Sequence, residues 1–109
     1  MAMKMVAARI QTHRLDPVYA ALLEVGVSSV TAIEAKGYGE MFGHTEVYRG
    51  AEYQVAFMQL VKIEAIVDES LVDQTVAALR EASSADPERR SRVWVHDLLL
   101  GEPADAASR

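Results

Sequence analysis

At 109 residues, half of them apolar, the chain is one domain with a modest core, small enough that association of copies would add useful burial. A net charge of −5, with acidic and basic residues mixed along the chain, provides no basic footprint for nucleic acid and no polybasic membrane patch. With no cysteine, disulfides, thiolate zinc sites and thiol nucleophiles are excluded. Arg9 and His13 interrupt the N-terminal apolar stretch too early for a signal peptide, and no apolar run reaches membrane-spanning length, so a cytoplasmic protein is expected.

Strands and helices alternate along the chain. Residues 3–11 are apolar with polar breaks at Lys4 and Arg9, which predicts a first strand. Asp16 followed by Pro17 predicts a helix start, with Asp16 as N-cap and Pro17 in the first helical position. Val18, Ala21, Leu22 and Val25 then recur at the helical period, and Gly26 predicts the end. Residues 27–35, rich in Val, Thr, Ile and Ser, predict a second strand. A long, glycine-spaced, hydrophilic stretch follows, and residues 55–67 predict a third strand. Its alternate positions are apolar on both sides, with Val61, Ile63 and Ala65 on one and Met58, Leu60 and Ile66 on the other, so a neighbouring copy is expected to cover the second face.

Ser70 and Asp73 predict a capped second helix with Leu71, Thr75, Val76 and Leu79 on its buried side. Residues 83–91 predict a polar loop before a last strand around Arg92, Val93, Trp94 and Val95, and residues 101–109 predict a frayed tail. Strand-helix-strand-strand-helix-strand is the order of an α+β, ferredoxin-like sandwich, here spanning residues 1–100.

Connections beyond about a dozen residues are uncommon in compact domains unless they function. The stretch at 37–54 is rich in glycine and aromatic side chains and has no proline, which suits an arm that orders on a partner. His13, His44 and His96 share no metal-ligand spacing, so no metal is expected, and no nucleophile elbow or P-loop is present, so no catalysis is expected. Gly37 and Gly39 at a strand end could let backbone amides approach an anion, although alone such a pair reads as a turn.

Tyr48-Arg49-Gly50-Ala51-Glu52-Tyr53, preceded by Gly43-His44-Thr45-Glu46 and Lys36-Gly37-Tyr38-Gly39, resembles the T-loop of the PII signal-transduction family. The resemblance runs without a gap from Lys4 to Val95 and fails at the C-terminus. It implies a homotrimer that binds an adenine nucleotide between subunits and regulates a partner protein through the T-loop. By that resemblance Thr31 and Ile66 would line the adenine pocket, the family having valine more often at the latter. Gly37, Tyr38 and Gly39 would sit under the phosphates, and Arg92 would replace a phosphate-binding lysine. Arg89, Arg90 and Ser91 stand beside it in a segment that lacks the family's glycines but offers forked donors for phosphate or carboxylate.

Two further departures bear on the ligand. Met41 replaces a glutamine that helps hold magnesium with 2-oxoglutarate, and a thioether is a poor donor for a hard cation. Leu60 replaces a lysine just beyond the T-loop. These losses resemble the carboxysome and inorganic-carbon branch, and imply ADP or AMP in preference to ATP, with bicarbonate as a second, small-anion effector and a transporter or enzyme of inorganic-carbon uptake as target. The alternative is a nitrogen-status regulator that binds ATP and 2-oxoglutarate and acts on an ammonium channel or a nitrogen-metabolism enzyme, with Tyr53 as a uridylylation acceptor. A third reading is a structural trimer or small enzyme of the same fold that has lost nucleotide binding.

Overall fold

The computed structural model describes residues 2–38, 45–48, 51–54 and 57–99; of residues 45–48 and 51–54 it describes the backbone. In chain order the elements are β1 (Met3–Ile10), α1 (Leu15–Glu24), β2 (Val30–Gly37), β3 (Thr45–Tyr48), β4 (Ala51–Gln54), β5 (Met58–Asp68), α2 (Val72–Ser83) and β6 (Val93–Asp97). β2, β5, β1 and β6 form one antiparallel sheet in that spatial order, and β3 pairs with β4 separately. β1 and β2 therefore run parallel with β5 between them, which is the split βαβ arrangement of the ferredoxin-like fold.

Both helices cover one sheet face. Val6, Ala8 and Ile10 of β1 and Val61, Ile63, Ala65 and Val67 of β5 alternate onto that face and meet Val18 and Leu22 of α1 and Leu79 of α2. Thr75 and Ser83 are buried polar residues of α2; the Thr75 hydroxyl donates to the Leu71 carbonyl at 2.7 Å, so its polar group stays satisfied.

The element order matches the sequence reading, and several boundaries differ. Asp16 is not the N-cap: a 3₁₀ turn at Thr12–Arg14 leads directly into α1, leaving Asp16 and Pro17 inside the first turn. The entry is fixed from across the fold, where Arg14 donates from Nε and Nη2 to the Ala82 carbonyl at 3.0 and 2.7 Å. Ser70 does not open the second helix as a capping side chain; Asp68 accepts from the Ser70 amide at 2.9 Å and caps a 3₁₀ turn at Glu69–Leu71. The second strand begins at Val30, because Gly26 at φ 91° and the bond from the Val27 amide to the Leu22 carbonyl extend the turn after α1. β5 starts at Met58; Val55 and Ala56 lie outside the described residues. Ser83 is the last residue of α2 rather than the first of the loop, and Pro87–Arg89 form a 3₁₀ turn within that loop.

The opposite sheet face is open in the single chain. Ile33 and Ile66 are 43% and 52% exposed there, on neighbouring strands, with Met5, Ala7 and Trp94 on the same face by register.

Candidate functional site

The end of the sheet that carries Gly37 also carries the 84–92 loop. Gly37 ends β2 opposite Met58, and the loop enters β6 beside the end of β1, where Val93 pairs with Ala8. Ser91 fixes the loop at two points. Its amide donates to the Ser83 hydroxyl at 2.9 Å, and its own hydroxyl donates to the Arg9 carbonyl at 2.8 Å. Asp86 shapes the outer turn by accepting from the Glu88 amide at 3.0 Å, and it pairs with Arg89 at 3.7 Å.

Two clefts flank this end. One, of about 360 Å³, is lined by Arg89, Arg90, Ser91 and Arg92 together with Arg9 and Trp94. The other, of about 590 Å³, lies at the foot of the arm, with Lys36 and Tyr38 in its wall. Leu60 lines both, and at 6% exposure it is a buried apolar partition between them. At the foot of the arm the Lys36 ammonium lies 4.6 Å from the Phe57 ring centre, and the Tyr38 ring stands 5.9 Å from the same ring.

The arginine cleft suits an anion. Four arginines and, among the described residues, no carboxylate line it in a chain of net charge −5. Arg90 Nε is buried without a hydrogen-bond partner among the described residues, a state that leaves a donor for a ligand.

The residues singled out from the sequence fall into three places. Gly37, Tyr38, Arg89, Arg90, Ser91 and Arg92 gather at the arm end of the sheet. Thr31 and Ile66 lie toward the other end, exposed on the open face; Gly37 is six steps along the strand from Thr31, roughly 20 Å. Gly39, Met41, Arg49 and Gly50 lie outside the described residues. Tyr48, Ala51, Glu52 and Tyr53 belong to the β3–β4 ladder, in which Tyr48 pairs with Ala51, Val47 with Glu52 and Glu46 with Tyr53, so part of the expected arm is a hairpin. The sequence reading missed Arg9 and Trp94, which carry no local motif. They join the cleft because the sheet register brings β1 beside β6.

The fold is a ferredoxin-like sandwich with an anion-suited arginine cleft next to a second cleft at the foot of a long arm, and among the described residues no cluster of His, Asp or Glu forms a metal site. The sequence model of the family described as "Nitrogen regulatory protein P-II" matches residues 3–99. Similar proteins include Nitrogen regulatory protein P-II of Azospirillum brasilense, 48% identical over 81 residues that cover 74% of this chain and 72% of that one. The protein of that name from Rhodospirillum rubrum is 40% identical over 96 residues, 88% of this chain and 86% of its own. Nitrogen regulatory protein P-II 1 of Escherichia coli is 40% identical over 111 aligned positions, spanning 96% of this chain and 99% of its own. The chain belongs to the P-II family and is a signalling regulator, not an enzyme. No helix of the described residues is long and apolar enough to cross a membrane.

Proposed function

We propose that the chain is a cytoplasmic nitrogen-status regulator that binds an adenine nucleotide in clefts between the copies of a homotrimer. Nucleotide occupancy would change the conformation presented by the arm at 37–54 to a partner protein. The observation that carries this reading is the separation of two half-sites within one chain. Thr31 stands about 20 Å of strand from Gly37, Ile66 stands farther still, and Ile33 is exposed on the face between. Covering that face with a second copy would bury its apolar side chains and could set the adenine-lining half of one copy against the phosphate half of its neighbour. The names of the relatives carry nitrogen regulation to this reading ahead of the inorganic-carbon one.

Coupling follows from position. Gly37 and Tyr38 are both the proposed phosphate contacts and the root of the arm, so a ligand with different contacts to two arm arrangements shifts their populations. The partner would be an ammonium channel or a nitrogen-metabolism enzyme docking on 48–53, and Tyr53 is the proposed uridylylation site.

A second reading is favoured by Leu60 and Met41. Leu60 is an apolar wall between the clefts where the resemblance implies a lysine, and Met41 removes an oxygen donor for magnesium. Both favour ADP or AMP with a small anion such as bicarbonate, with a transporter or enzyme of inorganic-carbon uptake as the target. Calorimetric titration with AMP, ADP and ATP decides between the readings, each repeated with bicarbonate and with magnesium plus 2-oxoglutarate. Cooperation between ATP and 2-oxoglutarate that requires magnesium supports nitrogen sensing. Tightening of ADP or AMP by bicarbonate alone replaces it with the second reading, and no nucleotide binding removes both.

A further inference from the structure

Arg9 is in an unusual electrostatic position. On the open sheet face it lies directly opposite Lys62, so two cations face each other across the β1–β5 pair. Lys62 is compensated by Glu64, 3.3 Å away. No carboxylate pairs with Arg9 among the described residues; its guanidinium instead lies 4.9 Å from the centre of the Trp94 ring. Trp94 is diagonal to it across β1 and β6, since Trp94 pairs with Ala7. Stacking on an indole holds a guanidinium in a defined plane while leaving its N–H edge able to donate.

Arg9 and Trp94 both line the arginine cleft, together with the 89–92 segment. The segment is tied to Arg9, because the Ser91 hydroxyl donates to the Arg9 carbonyl at 2.8 Å. The cleft therefore has cations on two independent elements, a strand and a loop, joined by one hydrogen bond. Its volume of about 360 Å³ is in the small-molecule range.

We infer that Arg9, oriented by Trp94, is a ligand-contacting residue of this cleft that recognises the phosphate chain of a diphosphate-bearing ligand together with Arg92. The inference rests on the nucleotide-binding reading for the identity of the ligand, but its chemistry requires only a chain of two linked phosphates. A bound pyrophosphate group would give Arg9 the anionic partner it lacks among the described residues and would lie within the field of Arg90 and Arg92.

Trp94 is the single tryptophan of the chain, so its emission reports on this contact directly. The full-length protein is titrated with inorganic pyrophosphate and with ADP, followed by Trp94 fluorescence and by calorimetry, alongside Arg9→Met, which keeps an apolar stem over the ring and removes the charge. The expected result is a saturable change in Trp94 emission in the wild type and an affinity loss of about 10- to 100-fold in Arg9→Met. Arg9→Met affinities within threefold of wild type overturn the inference. If that variant does not fold, wild-type emission that stays unchanged at calorimetric saturation overturns it as well. Pyrophosphate binding that moves Trp94 without any ADP binding upholds the Arg9 site and removes the nucleotide reading; binding of neither ligand overturns both.

Discussion

The Ser91 amide and the Ser83 hydroxyl form a 2.9 Å hydrogen bond, and the same Ser83 hydroxyl donates to the Arg80 carbonyl at 2.7 Å. One buried side chain thereby ties the end of α2 to the loop that carries Arg89, Arg90 and Arg92. Ser83→Ala leaves the Ser91 amide without its partner in a partly buried position, a cost of about 1 to 3 kcal/mol. The expected outcome is a lower melting temperature at fixed protein concentration and weaker pyrophosphate binding, with the emission of Trp94 in the free protein nearly unchanged. Wild-type melting and binding would show that the loop is held by other contacts.

The arrangement of elements was legible because it depends on periodicity. Val18 and Leu22 in α1, and Thr75, Leu79 and Ser83 in α2, recur at four-residue spacing and are the buried positions of their helices. The helix starts were misread for two reasons. At α1 the determinant is not local, since Arg14 is fixed by the Ala82 carbonyl, 68 residues away; before α2 it is local but two residues earlier, where Asp68 rather than Ser70 supplies the cap. In the cleft, consecutive residues such as Arg89 to Arg92 were visible as one segment, whereas Arg9 could be added only once the pairing of β1 with β6 was known. No property of Arg9 in the chain distinguishes it from an ordinary exposed strand residue.

Gly26 stands at φ 91° with open space where a Cβ would be, so a substitution there is strained by backbone conformation and not by a clash. Gly26→Ala is expected to destabilise the fold by about 1 to 2 kcal/mol, the cost of a left-handed conformation for an L-residue. Because Val27 packs in the core directly after this turn, the loss should be seen in the global denaturant midpoint with an unchanged m-value. An unchanged midpoint would mean that the turn relaxes to another conformation.

Lys4 and Asp97 form an ion pair across β1 and β6 at the far end of the sheet from the clefts. The hydrogen bond from Lys4, followed by its charge, holds the Asp97 carboxyl below the ordinary range, and the bond to Asp97 raises the Lys4 ammonium. For Asp97 the folded value lies below the unfolded one, so its contribution is present above about pH 3.9 and is lost as pH falls through the folded value. For Lys4 the order is reversed: the contribution is present below about pH 10.4 and is lost as pH rises through the folded value. The stability difference between wild type and Asp97→Asn should therefore be present at neutral pH and close at both extremes, and added salt should reduce it because the carboxylate is exposed. A difference independent of pH in denaturant titrations would indicate that Asp97 acts through packing rather than charge.

Ile33 lies on the uncovered sheet face beside Ile66 but is not among the residues assigned to the nucleotide, which makes it a test of assembly that removes no proposed ligand contact. If copies of the chain cover this face, a carboxylate placed there loses its water without gaining a partner, and association should weaken by several kcal/mol, of the order of 3 to 5. If the face stays open, the same carboxylate remains hydrated and costs little, within about 0.5 kcal/mol. Light scattering is expected to give about 36 kDa for the wild type, three copies of a 12.0-kDa chain, and a lower, concentration-dependent mass for Ile33→Glu. In the dissociated variant nucleotide affinity should fall with the mass if, as proposed, Thr31 and Ile66 meet the phosphate half of a neighbouring copy. A variant that dissociates yet binds ADP as tightly as the wild type would place the whole nucleotide site within one chain and remove the intersubunit cleft from the proposed function.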